Sequence, residues 1–302
     1  MAAQSATKVY HNKTYPSIDP TRPELSAKGK TIVITGAGTG IGAEAALYFA
    51  KASAAVVAIL GRRELPLLET KDRIEKEYPN TKIVAIPADV TKPDEVEAAF
   101  AQVAGNGKID VLISNAAVIG VQGKVADVTS DEIVAGITTN LSGNINVAKA
   151  FLKYGTKDGV IIETNSAAAH ANVAPGFTSY NVAKAATARF YSSLGFEHPD
   201  LTIFSIQPGA VATAMSAEAG YKPKKEGEDW AWDGGDGNAA LSKQDLANLP
   251  ASFMVWLASP EARFLNGKYL WANWDVDELK ERAAEITSSP FLSIGLVGWP
   301  FA

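Results

Sequence analysis

From residue 31 onward, short apolar runs of five to seven residues alternate with longer stretches of helical period. The runs are TIVIT (31–35), AAVVAIL (54–60), TKIVAIP (81–87), IDVLIS (109–114), GVIIET (159–164), LTIFSIQ (201–207) and GKYLWA (267–272). Continuously apolar segments of this length, rich in Val and Ile, fit strands buried on both faces. Between them the pattern predicts a helix from about Ile41, a second over Leu65 to Tyr78, and a third over Lys92 to Val103 with Pro93 in its first turn. Helical segments follow within Asp131 to Phe151, then an Ala-rich helix around Tyr180 and a last one from Asp245 to Ala258. Strand and helix in alternation predict an α/β fold with a parallel sheet in a single domain.

The ends of the chain depart from this rhythm. Residues 1–29 are polar, carry Pro16, Pro20 and Pro23, and read as an extended arm that lies over the surface or moves. The domain proper runs over 30–272, with a Gly-, Pro- and Trp-containing stretch at about 215–241 that reads as a lid. The tail, 273–302, holds a short charged helix and ends PFLSIGLVGWPFA. Such an apolar end does not stay in water. It covers either the domain's own pocket or a neighbouring subunit.

Composition narrows the classes of function. The chain has 302 residues, 47% hydrophobic and 20% charged, which suits one large soluble domain. A net charge of −5 with dispersed Lys and Arg gives no basic stripe for nucleic acid. The absence of cysteine excludes disulfides, thiolate metal sites and cysteine nucleophiles. Three histidines, His11, His170 and His198, lie far apart, which argues against a metal centre. No apolar run has membrane-spanning length and the N-terminus lacks a signal-peptide core, so a cytosolic protein is expected.

Candidate chemistry gathers where the strands end. After the first strand, TGAGTGIG places Gly36, Thr39, Gly40, Ile41 and Gly42 at a strand-to-helix turn. Glycines there let a diphosphate approach the main chain and the helix N-terminus. The second strand ends in Gly61, Arg62 and Arg63, where an acidic residue would bond a ribose 2′-hydroxyl. Guanidinium groups instead suit a 2′-phosphate, favouring NADP(H) over NAD(H), unless both arginines are simply solvated. Asp89 and Val90 follow the third strand, where an adenine amino group could be read. Asn115, Ala116 and Ala117 follow the fourth, as a small-residue turn that lets a cofactor close or as a plain turn. Asn140 within a helix holds a water, a bent backbone, or nothing.

Ser166 follows the fifth strand, and Tyr180 and Lys184 stand four apart on one helical face. A phenol is a poor acid near neutrality, but an adjacent ammonium favours its ionised form. Tyr180 is then a candidate proton donor or acceptor, and Ser166 a candidate hydrogen-bond donor to a developing oxyanion. After the sixth strand, Pro208, Gly209, Val211 and Thr213 turn the chain across the cleft of an open α/β sheet, within reach of a nicotinamide carboxamide or diphosphate.

Taken together, these residues resemble the short-chain dehydrogenase/reductase family over roughly 30–272. The glycine turn, the SNAA turn at 114–117, Asn140, Ser166, Tyr180 with Lys184, and PGAVAT at 208–213 stand in the family's order. The resemblance implies a Rossmann-type doubly wound parallel sheet that binds a dinucleotide, with Tyr180 as acid/base, Ser166 steadying the substrate oxygen, Lys184 holding the nicotinamide ribose, and Asn140 keeping a water for proton relay. It also implies homodimers or homotetramers built through the helices that carry Asn140 and Tyr180. Ala117 stands where the family usually has glycine, and Ser114 where it has asparagine. The arm and the Trp-containing tail lie outside the core pattern and look like those of fungal members.

The expected activity is NADP(H)-dependent interconversion of a ketone and a secondary alcohol, as a ketoreductase on a moderately hydrophobic small molecule. Imine reduction or an isomerisation or cyclisation on the same fold is the alternative. A non-catalytic NADPH-binding module is a third, from a different class.

Overall fold

A computed structural model describes residues 5–105, 107–172, 174–220 and 245–295. Seven strands form its sheet: β1 (Thr31–Thr35), β2 (Val56–Gly61), β3 (Lys82–Pro87), β4 (Ile109–Ser114), β5 (Gly155–Thr164), β6 (Thr202–Gln207) and β7 (Tyr269–Trp271). They are parallel throughout, in the order β3-β2-β1-β4-β5-β6-β7. The order reverses between β1 and β4, so the crossovers leave on opposite faces and a crevice opens at the carboxyl ends of the strands.

Both faces are covered, which explains the unbroken apolar runs. In β1, Ile32 and Ile34 pack with one cluster and Val33, between them, with the other. The first cluster takes Phe49 from α1 (Gly40–Lys51), Leu67 and Ile74 from α2 (Glu64–Glu77), and Phe253 and Trp256 from α7 (Asn248–Leu257). The second takes Phe100 from α3 (Pro93–Ala104), Phe151 from α4 (Ser130–Tyr154), and Tyr191 from α5 (Thr178–Glu197). Period-2 alternation in the strands thus feeds two cores from one sequence.

Several elements differ from the expectations. The segments between Asp131 and Phe151 form one helix, α4, opened by a capping box in which Thr129 and Glu132 satisfy each other's main chain. Strand β5 begins at Gly155, directly after that helix. Gly155 and Gly159 lie against Phe151, where added Cβ atoms would sit 2.6 Å from its carbonyl oxygen and ring. The helix expected from Asp245 begins at Asn248, because Asp245 bridges in parallel to Val211. A short helix, α6 (Ala214–Glu218), carries the first part of the expected lid, and 221–244 lies outside the described residues.

The arm is not an overlay. Two 3-10 turns, Pro16–Ile18 and Pro23–Leu25, push Ile18, Leu25 and Ala27 into the first core cluster. In the tail, α8 (Val276–Glu281) and α9 (Ala283–Ser288) lead to Phe291 and Leu292, which also pack on that cluster; 296–302 lies outside the described residues. Arg22 of the arm meets Glu261 at 2.8 Å, and Lys280 of α8 meets the same carboxylate at 2.7 Å. None of the described helices is long and apolar enough to cross a membrane.

Because Ile18 is fully buried, Ile18→Ala should lower the unfolding free energy by about 2–5 kcal/mol in denaturant titration. An arm that only covers the surface would give a change below about 0.5 kcal/mol.

Candidate active site

The crevice holds a cavity of about 520 Å³ that runs over the ends of β1, β2 and β4. Its floor is the turn from β1 to α1. Gly36 and Gly40 there adopt φ of +66° and +58°, which L side chains avoid. A Cβ on Gly36 would lie 2.9 Å from the Ala116 Cα, so the two turns touch only because both are small. Asn115 fixes this contact, donating from Nδ2 to the Thr35 carbonyl at 3.0 Å, while the Thr35 hydroxyl accepts from the Asn115 and Ala116 amides at 3.0 Å each. Thr39 precedes α1 without capping it through its side chain, and Gly38, Thr39 and Gly40 line the cleft at the start of that helix. An uncapped helix start beside glycines suits an anion, and the arrangement fits a dinucleotide diphosphate.

The other ends of the cavity fit the remaining parts of a dinucleotide. Arg62 and Arg63 are exposed on its rim and make no ion pair within 4 Å among the described residues. Asp89 and Val90 line it as well. Burial acts to raise the Asp89 pKa, but Thr91 donates to its carboxylate from amide and hydroxyl, and with Arg62 and Lys92 nearby the net shift is downward. Val90 is held by Asn146, which donates to its carbonyl at 2.9 Å. Gly42 does not line the cavity. A Cβ on it would sit 2.5 Å from the Gly36 carbonyl oxygen, so it serves the packing of helix against turn.

Tyr180 and Lys184 lie one turn apart on α5 and both line the cavity. The helix comes close to α4 because Ser179, bonded to the Ile133 carbonyl at 2.8 Å, fits against Gly120 and Gly136. Lys184 is buried, and its Nζ donates to the Thr164 carbonyl at 2.7 Å and lies 5.7 Å from the Tyr180 ring centre. Ser166 sits apart from the large cavity, in an adjoining apolar pocket of about 180 Å³ that it shares with Tyr180, Gly209 and Val211. Its Oγ accepts from the Ala168 amide, leaving its hydroxyl hydrogen for a ligand. Pro208 and Thr213 line both spaces. The Thr213 hydroxyl also caps α6, accepting from the Ser216 amide at 3.1 Å.

Asn140 also lines the cavity, and its side chain bonds main chain. Its side-chain Nδ2 donates to the carbonyls of Val118 at 2.9 Å and Gly136 at 3.0 Å, and its Oδ1 accepts from the Val118 amide at 3.0 Å. The amide therefore pins the strand-exit loop to α4.

Sequence reasoning missed the polar cluster beneath the site. Glu163 is fully buried at the end of β5, and Asn165 Nδ2 donates to its two oxygens at 2.7 and 2.9 Å and to the Lys184 carbonyl at 3.0 Å. The Thr187 hydroxyl donates to the same carboxylate at 3.0 Å. Asn165 Oδ1 accepts from the Ser166 amide at 2.8 Å, and the Tyr269 hydroxyl donates to the Ser166 carbonyl at 2.5 Å. Ser166 is thus held from both sides. A charged residue closing an otherwise apolar central strand, as Glu163 closes GVIIE, was the available signal.

A family model for the short chain dehydrogenases matches residues 30–224, and the chain belongs to that family. Its relatives include a short chain dehydrogenase/reductase of the fungus Claviceps purpurea, 37% identical over 96% of this chain and 94% of the relative. Versicolorin reductase 1 of Dothistroma septosporum is 31% identical over 80% of this chain and 94% of its own. Among solved structures, a short chain dehydrogenase from Burkholderia cenocepacia in complex with NADP superposes with a TM-score of 0.69 at 26% identity, over 81% of this chain and 96% of that one. The chain is accordingly an oxidoreductase of the short-chain dehydrogenase fold, related to fungal members. No group of three or more potential metal ligands occurs among the described residues.

Burial raises the Glu163 pKa above the ordinary 4.5, against the opposing pull of Lys184 and its hydrogen-bond donors. A raised folded value means the native state keeps the proton longer than the unfolded chain, so stability falls as pH climbs from 4.5 through the folded pKa, then levels. Glu163→Gln removes that slope. Denaturant titrations of the two proteins across this range should give a difference that shifts in favour of the glutamine variant with rising pH; parallel curves would contradict it.

Proposed function

We propose that the protein is an NADP(H)-dependent ketoreductase acting on a moderately hydrophobic carbonyl compound in the cytosol. The observation that carries this reading is the junction of the two cavities. Tyr180 borders both the polar cleft that suits a dinucleotide and the apolar pocket that suits a substrate, with Ser166 lining the latter and Lys184 the former. When bound, the nicotinamide supplies the hydride.

The residues of the chain supply orientation and the proton. Ser166 donates a hydrogen bond to the carbonyl oxygen, and Tyr180 passes its hydroxyl proton to that oxygen as negative charge gathers there. Lys184 spends one of its three N–H groups on Thr164, leaving two for the ribose side of the cleft. Its positive charge also offsets the charge left on the phenolic oxygen. The apolar walls from Ile119, Phe177 and Val211 exclude water from the reacting carbon.

The arginine rim supports NADP(H), as does the NADP held by the Burkholderia relative. The name of the Dothistroma relative supports reduction as the direction. Val134 on α4 and Val182 and Phe196 on α5 are exposed, Phe196 by 89%, which supports assembly into a homodimer or homotetramer through those helices.

Two measurements test the reading. Following NADPH absorbance against ketones, diketones, quinones and cyclic imines, Tyr180→Phe should lose roughly 10²–10⁴-fold in turnover while its NADPH affinity stays as in the wild type. Turnover equal to wild type with any ketone would contradict the proton role, and activity confined to imines would replace ketone reduction with imine reduction. Arg62→Asp should weaken NADPH relative to NADH by roughly 10–100-fold, the worth of a charge-assisted contact. Unchanged selectivity would remove Arg62 from the 2′-phosphate site.

A further inference from the structure

Asp245 is a second buried carboxylate, 3% exposed, that the proposed chemistry does not use. No Lys or Arg pairs with it within 4 Å among the described residues, and it is satisfied by neutral donors from three separate parts of the chain. Its Oδ2 accepts from the Ala210 amide at 2.6 Å. Its Oδ1 accepts from Asn12 Nδ2 at 2.9 Å and Asn273 Nδ2 at 3.0 Å. Burial raises its pKa, and these donors oppose the shift.

The loop is shaped around this group. The Asp245 amide donates to the Ala210 carbonyl at 3.0 Å, so both ends of Ala210 are bound by one residue. Gly209, just before, has a φ of +99°, and a Cβ there would lie 2.6 Å from Asp245 Oδ2. Gly209, Ala210 and Val211 line the apolar pocket, and Pro208 and Thr213 on either side line both cavities.

The other end of the contact belongs to the arm. The Asn12 carbonyl accepts from the Leu246 amide at 2.9 Å, and His11 and Asn273 exchange main-chain and side-chain bonds at 2.8 and 2.9 Å. Residues 12, 245 and 273 all fall outside the 30–224 stretch matched by the family model.

We propose that Asp245 is a positioning residue through which the N-terminal arm sets the conformation of the Gly209–Val211 loop, making the arm a working part of the cleft. Loss of the Asn12 amide leaves Oδ1 one donor short, and a buried carboxylate that lacks a donor re-solvates by shifting. Shifting draws Ala210 with it, because Ala210 is bound at both its amide and its carbonyl. The consequence for ligands rests on the cofactor and substrate reading given above; the loop coupling itself does not.

The test compares wild type, Asn12→Ala, Asp245→Asn and Ser17→Ala, the last removing a bond from the same arm to Asp277. Amide hydrogen exchange over 209–211 and NADPH affinity by fluorescence titration are the readouts. Asn12→Ala and Asp245→Asn should speed exchange in the loop on the order of tenfold, and weaken NADPH by a similar factor, with Ser17→Ala like wild type in both. Should Asp245→Asn not fold, Asn12→Ala decides alone. Loop exchange unchanged in a folded Asn12→Ala protein, even one of lower melting temperature, overturns the proposal. If wild type binds no NADPH, the reading of the cleft fails while the exchange data still decide the coupling.

Discussion

The rest of the site depends on one hydrogen bond, from the buried ammonium of Lys184 to the carbonyl that ends β5 at Thr164. A cation taken out of water needs partners, and this one finds a strand-end carbonyl where the sheet's own ladder has run out. The bond ties α5 to the centre of the sheet and fixes Tyr180, one turn earlier, at the edge of the crevice. Beneath it Glu163, Asn165 and Thr187 bond one another and the main chain of α5, so the strand end and the helix move as a unit. Ser166 inherits its place from the same cluster.

This arrangement gives the cleft two halves of different character. The long half is built from main-chain amides, glycines and arginines, and suits an anionic, extended ligand; the short half is apolar and suits a compact one. Ile41, Asn165, Tyr180, Pro208, Thr213 and Met215 border both. The proposed hydride and proton transfers meet at that shared border. The linings of both halves fall within residues 30–224. Part of the second is braced by segments beyond residue 224 and by the arm before residue 30, through Asp245.

Much of this was legible in the sequence for a physical reason. Strands buried on both faces must be apolar at every position, so TIVIT, VVAIL and VLI announced themselves, and glycines at 36 and 40 marked a turn that other residues cannot make. A phenol and an amine one helical turn apart mean little alone; Ser166, Tyr180 and Lys184 stood out as candidates because the glycine turn, the SNAA turn and PGAVAT stand in register with them. What stayed hidden was tertiary. Asn140 could hold a water, a bent backbone or nothing, and its bonds to Val118 come from a loop that nothing local reveals. Asp245 read as the first residue of a helix, because nothing local reveals a partner at Ala210. The arm's prolines suggested an extended overlay, and the burial of Ile18 and Leu25 depends on a core they could not foretell.

In the proposed reaction, hydride leaves a nicotinamide in the long half of the cleft for a carbonyl carbon in the short half. Incubation of the wild-type protein with NADPH deuterated on the transferred face at C4, over a panel of ketones, reads this directly by mass spectrometry of the products. The expected product is an alcohol carrying one deuterium on its carbinol carbon. Tight NADPH binding with the label retained on the dinucleotide, for every carbonyl offered, would contradict it.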